Sequence, residues 1–338
     1  MERILRDSTG MSITPLPTAT KRPLADLFRA VYHDKRSFHD LAEMDVLLNC
    51  KREQYTKAGQ VRAILAPNDI LSGCLEFVRL FVVDYLPINE DVVYSYRKGL
   101  SAFDAVARHR GGKHFFVGDI FHFFPSLNRD RVRLTLAQGH DRTPISDFDL
   151  WLDRFISLVC PESGLPVGFS TSPGISNAAL KPFDDALKLA CDGRGLIVTR
   201  YSDDIIVSGG SKDALEGVEQ LVADTLQDVF PGEFILNRAK SKRMHRGTKV
   251  KLLGMVLLPD GSVSVDAAVK DEIEVLLHFH ARNRSRFLEQ VGNDLQKGER
   301  RLSGMINYAN TVDKAYLDKL RRKFGAASVD YFLHRSFS

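Results

Sequence analysis

Short apolar segments alternate with longer segments of helical periodicity through the middle of this chain. His114–Ile120 is rich in Phe and Val, which predicts a strand. Leu196–Thr199 and Ile205–Val207 are also apolar and β-branched, so they predict two strands joined by a tight turn at Tyr201–Asp204. An earlier hairpin is predicted over Gln54–Pro67. These segments predict a fold that contains β-sheet.

The remaining periodic segments predict helices, and one further apolar segment predicts a strand. Apolar residues recur at helical spacing over Asn68–Tyr85, where Asn68 or Asp69 is suited to cap the helix. Leu252–Leu258 is almost continuously apolar and predicts a single strand. The order of strand, helix, hairpin, helix and strand predicts the α+β class, with a mixed or antiparallel sheet covered by helices on one face. The other predicted helices are Tyr94–Gly112, a segment from about Asn128, 145–160, Ile175 to about Cys191, Lys212–Phe230 and Ala267 to the end.

Composition adds a size class and a charge pattern. The 338 residues are 44% hydrophobic and 27% charged, which is typical of a globular chain with room for two or three subdomains. The formal net charge of +4 is unevenly distributed: Asn237–Lys251 holds seven Lys/Arg and no acid, and Ala281–Lys323 holds eleven Lys/Arg against five Asp/Glu. These basic segments indicate a polyanionic partner such as nucleic acid, with a solvated helical face as the alternative.

The cysteines and the apolar segments exclude several classes of protein. Cys50, Cys74, Cys160 and Cys191 are scattered without Cys-x-x-Cys spacing, which argues against a zinc site or a disulfide framework and favours a reducing compartment. The N-terminus lacks the design of a signal peptide, and no segment approaches the roughly 20 apolar residues of a membrane span. We therefore expect a cytoplasmic protein without a membrane partner.

Two adjacent carboxylates, Asp203 and Asp204, lie at the predicted turn. Like charges so close repel each other unless a cation lies between them, and a divalent metal is the obvious cation. Asp119 closes the strand at His114–Ile120 and is the third carboxylate such a site needs, with the Ile120 carbonyl as a further ligand. Three carboxylates around two divalent ions are typical of phosphoryl chemistry. A solvated turn, with Asp119 as a helix N-cap, is the alternative.

A Gly/Pro/Ser-rich loop and two bases are candidates for nucleotide contacts. The loop Gly164–Gly174, which includes Pro166 and Gly168, offers small residues and backbone N–H groups that suit close approach to a base pair or a phosphate. Lys57 and Arg62 lie on the first predicted hairpin and could hold a triphosphate. Considered singly, these features also fit a plain loop before a helix and two surface bases.

Taken together, these segments resemble the motifs of the reverse transcriptases in order and spacing. The resemblance covers about residues 50 to 325. It rests on Arg62–Ile64 with Pro67, Phe116–Leu127, Gly164–Asn177, Tyr201–Asp204 as the Tyr-x-Asp-Asp box, Asn237–Ser241, and Leu253–Gly254.

The resemblance implies a right-hand polymerase fold with fingers, an antiparallel palm sheet that carries the Tyr-x-Asp-Asp hairpin, and a helical thumb. The implied domains are an N-terminal extension and fingers at 1–112, a palm at 113–262 with a fingers insertion at about 131–163, and an RNA-binding thumb at 263–338. The segment after the predicted thumb is short, so we expect no RNase H, integrase, endonuclease or maturase domain.

The resemblance also implies the site. Asp119, Asp203 and Asp204 would bind two Mg²⁺ ions, with Mn²⁺ as the alternative metal. Arg62 would hold the triphosphate, and Lys240 would protonate the departing pyrophosphate or else belong to the basic phosphate-contacting strip. The remaining implied residues are Lys57, Pro166 and Gly168 at the nucleotide, Leu253 and Gly254 as primer grip, and Arg282, Arg284, Arg286, Arg300, Arg301, Arg321, Arg322 and Lys323 on RNA.

Phe124 bears on the type of polymer. It lies five residues after Asp119, where the family keeps an aromatic ring under the sugar. A ring there clashes with a ribose 2′-OH, which favours dNTPs, whereas core packing is the plain alternative. Val167 departs from the family, because many relatives carry Gln or Thr there and an apolar side chain cannot make a polar contact near the nucleotide.

The compact form resembles the retron and defence-associated bacterial enzymes. The expected partners are a structured noncoding RNA as template and primer, the RNA–DNA hybrid product, dNTPs and an effector protein. Two departures from retrons are Asp104–His109 in place of an Asn-Ala-x-x-His box and Leu252–Gly254 in place of Val-Thr-Gly. The alternatives are a template-independent or protein-primed DNA polymerase and a non-enzymatic RNA-binding scaffold.

Overall fold

The computed structural model describes residues 21–57 and 60–333, with the backbone alone for 55–57 and 60–62. The helices are α1 (Leu24–Tyr32), α2 (Phe38–Glu43), α3 (Asp69–Phe81), α4 (Ala102–Arg108), α5 (Phe123–Ser126), α6 (Arg129–Ala137), α7 (Phe148–Val159), α8 (Ser172–Ala179), α9 (Lys181–Asp192), α10 (Val218–Val229), α11 (Ala267–Arg282), α12 (Arg284–Gln290), α13 (Leu295–Val312), α14 (Lys314–Phe324) and α15 (Ala326–Asp330). The strands are β1 (Cys50–Lys57), β2 (Gln60–Pro67), β3 (His114–Asp119), β4 (Ile197–Tyr201), β5 (Asp204–Gly209), β6 (Lys242–His245), β7 (Val250–Leu252), β8 (Met255–Leu257) and β9 (Val263–Val265).

The chain divides into two compact units. The first comprises the described residues up to Pro87 together with Leu127–Ile175. Its antiparallel hairpin β1–β2 is bonded to the Gly/Pro loop, because the Leu65 amide donates to the Val167 carbonyl at 2.9 Å. Its helices pack around aromatic residues such as Phe28 and Phe77, whose ring centroids are 5.1 Å apart.

The second unit comprises Ile88–Ser126 and the described residues from Ser176 onward. Its main sheet has the strand order β4-β5-β3-β6, and every neighbouring pair is antiparallel. The register places Phe116 opposite Val207 and Asp119 opposite Asp204. Strand β5 is buried from Ile205 to Gly209, as expected for an apolar β-branched strand inside a sheet.

The C-terminal helices share a core with both sheets of this unit. Strands β7, β8 and β9 form a second antiparallel sheet. Phe115 and Ile206 of the main sheet belong to the same buried cluster as Leu252 and the helical residues Leu302 and Leu320. Burial of these side chains, at about 1.5–3 kcal/mol each, anchors the C-terminal helices to the sheets. The predicted α+β class is confirmed, as is the antiparallel sheet that carries the Tyr-x-Asp-Asp hairpin.

The predicted helix starts are accurate where a cap is visible in the sequence. Asn68 caps α3, and its side chain accepts from the Leu71 amide at 3.0 Å. Asn128 caps α6 in the same way, accepting from the Arg131 amide at 2.8 Å. A polar side chain that accepts an otherwise unpaired first-turn N–H is a local signal, so the sequence reveals it.

Three predicted elements are wrong in extent. The single strand over Leu252–Leu258 is a hairpin, in which Leu253 (φ 47°) and Gly254 (φ 84°) form a two-residue turn between β7 and β8. Tyr94–Gly112 is helical over α4 alone. The long helix from Ile175 breaks at Leu180 into α8 and α9. Strands β6 and β9 were not predicted.

Two findings concern compartment and chemistry. Among the described residues, no helix is long and apolar enough to cross a bilayer. The four cysteines are free thiols, and burial raises the pKa of the Cys74, Cys160 and Cys191 thiols to about 11.

Candidate active site

The predicted Asp-Asp turn is a two-residue hairpin turn. Tyr201 at the end of β4 pairs with Asp204 at the start of β5, which leaves Ser202 and Asp203 as the turn. Ser202 has φ 60°, in the left-handed region that L-residues other than Asn and Asp seldom adopt. Both aspartates are half-buried. The turn thus presents two carboxylates at one end of the sheet.

The third predicted carboxylate lies at the same end of the sheet. Asp119 is the last residue of β3, and its Cα pairs directly with that of Asp204 across the two strands. The Ile120 amide donates to the Asp203 carbonyl at 3.0 Å, so the chain beyond β3 is tied to the turn itself. Asp119 precedes Asp203 by 84 residues in the sequence. The fold therefore brings a distant carboxylate to the adjacent pair Asp203 and Asp204. The predicted role of the Ile120 carbonyl stays a prediction.

Asp119 has two further polar neighbours. The Asn237 side chain donates to its Oδ1 at 3.0 Å, and the Asn237 amide donates to its backbone carbonyl at 2.8 Å. The Lys240 ammonium lies 3.2 Å from Oδ1 and 3.3 Å from Oδ2. Sequence reasoning placed Lys240 at the site but gave Asn237 no role. Its position in the Asn237–Ser241 motif, three residues before Lys240, was the available signal.

The electrostatics of this carboxylate cluster favour a bound cation. Burial raises the pKa of Asp204 to about 6, with repulsion from Asp203 and Asp119 adding to the shift. Burial also raises the pKa of Asp203, again with a contribution from Asp119. Lys240 opposes both shifts. Because these pKa values rise through desolvation and like charge, a divalent ion would relieve the unfavourable interaction.

The donor chemistry suits Mg²⁺ or Mn²⁺. Carboxylate oxygens are the ligands that these hard cations prefer, and Asp119, Asp203 and Asp204 are the side chains that would hold them. Across residues 21–57 and 60–333, however, no group of three or more His, Cys, Asp or Glu side chains is already arranged around one metal position. Instead, the positively charged Lys240 ammonium lies next to the Asp119 carboxylate.

Phe124 lies on the short helix α5, which directly follows the Asp119 strand. Its ring is half-buried and packs edge-on against buried Phe123 with a centroid distance of 5.3 Å. The Phe121 amide donates to the Ile235 carbonyl at 2.9 Å, which fixes the segment before α5. The selection of dNTPs by Phe124 stays a prediction.

The other predicted nucleotide-contacting residues lie in the first unit. Pro166 is buried, and its carbonyl accepts from the Ser172 hydroxyl at 2.8 Å. Gly168 has φ 115°, and a Cβ there would lie 2.4 Å from the Leu65 carbonyl oxygen, so glycine is required beside β2. Lys57 and Arg62 belong to strands β1 and β2, and their side chains lie outside the described part of the chain.

The predicted RNA-binding bases of the C-terminal helices fall into two groups. Arg301 pairs with Glu272, Arg321 with Asp318 and Asp330, and Lys323 with Glu274. Arg282, Arg284, Arg286 and Arg322 are exposed, and no acidic partner lies within 4.0 Å of them in the described chain. Arg300 is exposed as well.

His109, in the segment compared with the retron box, is fully buried in the second unit. Its ring nitrogens contact the Ser208 hydroxyl at 2.6 Å and the Thr199 hydroxyl at 2.8 Å. Burial lowers the pKa of His109 to about 3, and Arg108 adds to the shift. A neutral His109 therefore ties the loop after α4 to β4 and β5.

Comparisons with known proteins found a matching family model and similar sequences. The family model for reverse transcriptases, described as RNA-dependent DNA polymerases, matches residues 68–257. The chain is 28% identical to the retron Ec73 reverse transcriptase of Escherichia coli over 277 residues, covering 79% of this chain and 84% of that one. It is 25% identical to the retron Mx65 reverse transcriptase of Myxococcus xanthus over 279 residues, covering 79% of this chain and 62% of that one.

Similar solved structures include a telomerase and a viral enzyme. The apo telomerase of Candida tropicalis superimposes with a TM-score of 0.48 at 12% identity, covering 87% of this chain and 59% of that one. The foamy viral protease–reverse transcriptase in complex with double-stranded DNA superimposes with a TM-score of 0.43 at 15% identity, covering 84% of this chain and 43% of that one. The chain thus spans less than two thirds of these two structures and of the Myxococcus relative.

Proposed function

The chain belongs to the reverse transcriptase family, and we propose that it synthesises DNA on a structured noncoding RNA by nucleotidyl transfer at Asp119, Asp203 and Asp204. The observation that carries this proposal is the pairing of Asp119 with Asp204 across β3 and β5, with the Asp203 backbone bonded to Ile120. A solvated turn would not need a third carboxylate on the neighbouring strand.

Different residues of this chain would bind the metal ions, orient a metal ligand and protonate the leaving group. Two bound divalent ions, Mg²⁺ or Mn²⁺, would activate the attacking hydroxyl and stabilise the leaving phosphate. Asp119, Asp203 and Asp204 would hold them, and the Ile120 carbonyl is the further proposed ligand. Asn237 orients the Asp119 carboxylate through a 3.0 Å hydrogen bond. Lys240, which contacts Asp119, is proposed as the acid that protonates departing pyrophosphate, with phosphate contact as its alternative role.

Nucleotide contacts are proposed in each unit separately. Phe124 would exclude the ribose 2′-OH and so select dNTPs. In the first unit, the backbone at Pro166 and Gly168 would contact the base pair, and Lys57 and Arg62 would contact the triphosphate. We also propose Leu253 and Gly254 as primer grip, since a two-residue turn presents backbone groups close to a nucleic acid strand.

The RNA partner is proposed from charge and from the relatives. Both relatives described above are retron enzymes by name, which supports a retron role with a noncoding RNA as template and primer and an RNA–DNA hybrid as product. Arg282, Arg284, Arg286 and Arg322 are the strongest candidates for phosphate contacts, because the acids near Arg301, Arg321 and Lys323 already compensate those charges. An effector protein and a cytoplasmic location complete the proposal, the latter supported by four free thiols.

The nucleic acid that co-purifies with the protein tests this proposal. We expect one structured RNA, and on addition of dNTPs a DNA strand joined to it or paired with it. Sequencing before and after RNase treatment distinguishes the outcomes. DNA that resists RNase and is released by protease would mean protein priming, and the absence of any template RNA would overturn the RNA-directed proposal.

A further inference from the structure

Side chains hold the backbone of Ser202 on both sides. Its amide donates to the Ser95 hydroxyl at 2.8 Å, and its carbonyl accepts from Arg200 Nη1 at 3.0 Å. Ser202 is also the turn residue with φ 60°. A left-handed serine carries a steric cost, which persists where the surroundings determine the conformation. These two bonds are therefore placed on the strained residue immediately before Asp203.

The two side chains that bond the Ser202 backbone, Ser95 as acceptor and Arg200 as donor, belong to one buried network. The Ser95 hydroxyl donates to Asn177 Oδ1 at 3.2 Å, and Asn177 Nδ2 donates back to the Ser95 carbonyl at 2.8 Å. Arg200 donates to the same Asn177 side chain at 3.3 Å and forms a two-pronged pair with Asp184, both bonds 2.7 Å long. All four of these side chains are at most 2% exposed.

A contribution to stability does not explain a buried charged network of this kind. A buried Arg–carboxylate pair seldom stabilises a fold relative to packed hydrophobic residues, because both charges lose their hydration. Its advantage is directional, since a planar guanidinium determines where each of its acceptors lies. One arginine here orients Asp184, Asn177 and the Ser202 carbonyl together. That favours a role in fixing the geometry of the turn.

We propose that Ser95, Asn177, Asp184 and Arg200 are positioning residues that hold the Ser202 turn so that Asp203 and Asp204 face Asp119. The proposal rests on the proposed metal-binding function of those three carboxylates. A relaxed turn would let Asp203 and Asp204 separate from Asp119, so the site would bind a divalent ion more weakly. None of the four residues contacts a metal or substrate in this assignment.

Ser95→Ala is the most direct variant, because it removes one hydroxyl and leaves the buried charges paired. Ser208→Ala is its matched control: Ser208 is also fully buried, and its hydroxyl contacts His109 at the far end of β5. Arg200→Lys is a second test, because lysine keeps the positive charge but cannot form the two-pronged pair with Asp184. Each full-length variant is measured for thermal midpoint, for Mn²⁺ binding by the loss of the free-ion EPR signal, and for kcat and KM with dNTPs.

We expect Ser95→Ala to weaken Mn²⁺ binding about fivefold or more and to lower kcat about tenfold with little change in KM, because only the reacting geometry is disturbed. Ser208→Ala should lower the thermal midpoint by a similar amount without weakening Mn²⁺ binding. The proposal is overturned if Ser95→Ala binds Mn²⁺ as tightly as Ser208→Ala does. Mn²⁺ binding needs no turnover, so an inactive wild-type protein would refute the proposed function while this comparison still decides the positioning role.

Discussion

Asp119 and Asp204 lie directly opposite each other on neighbouring antiparallel strands, the last residue of β3 paired with the first of β5. Because Asp203 precedes Asp204 in the turn and its carbonyl accepts from the Ile120 amide, one register aligns all three carboxylates. A shift of this register by one residue would send Asp119 to the other face of the sheet. The register of β3 against β5 is therefore the structural basis of the site.

Phe124→Val is expected to admit ribonucleotides. If the half-buried ring lies under the sugar, its removal makes room for a 2′-OH, and the preference for dNTPs over rNTPs should fall by about 100-fold in kcat/KM. Phe121→Val is the matched control, because Phe121 is an exposed aromatic residue three positions earlier. Single-nucleotide incorporation measures both. An unchanged preference in Phe124→Val would leave Phe124 as a packing residue.

Asp204→Asn is expected to stabilise the metal-free protein at neutral and higher pH. The pKa of Asp204 is raised to about 6, whereas an unfolded Asp titrates near 4, so the native state is favoured at low pH and loses that stability as pH rises through 6. At pH 8 in EDTA, removal of the charge should add about 1–2 kcal/mol to the free energy of unfolding. Thermal melts measure the change.

Asp228 is exposed, so Asp228→Asn is the control for Asp204→Asn and should leave the thermal midpoint unchanged. Addition of Mg²⁺ should stabilise the wild type and Asp228→Asn but not Asp204→Asn, since the latter has lost a ligand. A lower midpoint for Asp204→Asn in EDTA would contradict the assigned repulsion.

Stability should fall on mild acidification because of His109. Burial lowers its pKa to about 3, whereas the unfolded residue titrates near 6.5, so its contribution is complete above pH 6.5 and is lost progressively as pH falls toward 3. At pH 5 the loss is about 2 kcal/mol. Urea unfolding at pH 7 and pH 5 measures it. His109→Gln should abolish most of the difference in unfolding free energy between pH 7 and pH 5. The control His39→Gln, at an exposed histidine, should retain that difference.

The C-terminal bases without an acidic partner in the described chain should bind RNA more strongly than the bases that pair with acids. The triple variant Arg282→Ala, Arg284→Ala and Arg286→Ala is expected to reduce the salt dependence of binding to a structured RNA by about two to three ions. The matched triple Arg301→Ala, Arg321→Ala and Lys323→Ala, which removes bases already paired with acids, should change it by less. Binding isotherms at several salt concentrations decide between them. Equal slopes would contradict the distinction between bases that pair with acids and bases that do not.

Local patterns revealed most of the elements that position the carboxylates. Strands β3, β4 and β5 are rich in aromatic or β-branched residues, and Asn68 and Asn128 each cap a helix through a bond to the amide three residues later, so each signal lies within a short window. The turn at Leu253 and Gly254 was missed because the apolar residues on both sides of it predict one continuous strand, although Gly254 (φ 84°) was the available signal. Strand β6 was missed because Lys242–His245 is polar and pairs with β3, which is distant in sequence.

The missed parts of the site depend on distant contacts. Arg200 reads as an ordinary basic residue beside the Asp-Asp turn, and only the fold shows it buried against Asp184. The acids that neutralise Arg301 and Lys323 lie 29 and 49 residues away, so a count of local charge could not reveal them. The sequence therefore predicted three carboxylates that the fold brings together, while tertiary packing determines which bases lack an acidic partner in the described chain and what holds the turn.

DNA synthesis by Asp203→Asn tests the central claim most directly. Wild type, Asp203→Asn and the surface control Asp228→Asn are purified with their RNA and supplied with dNTPs and Mg²⁺. We predict that Asp203→Asn lowers the rate of incorporation by about 1000-fold or more while keeping its fold and its bound RNA, and that Asp228→Asn matches the wild type. Undiminished DNA synthesis by Asp203→Asn would contradict the assignment of Asp119, Asp203 and Asp204 as the catalytic carboxylates.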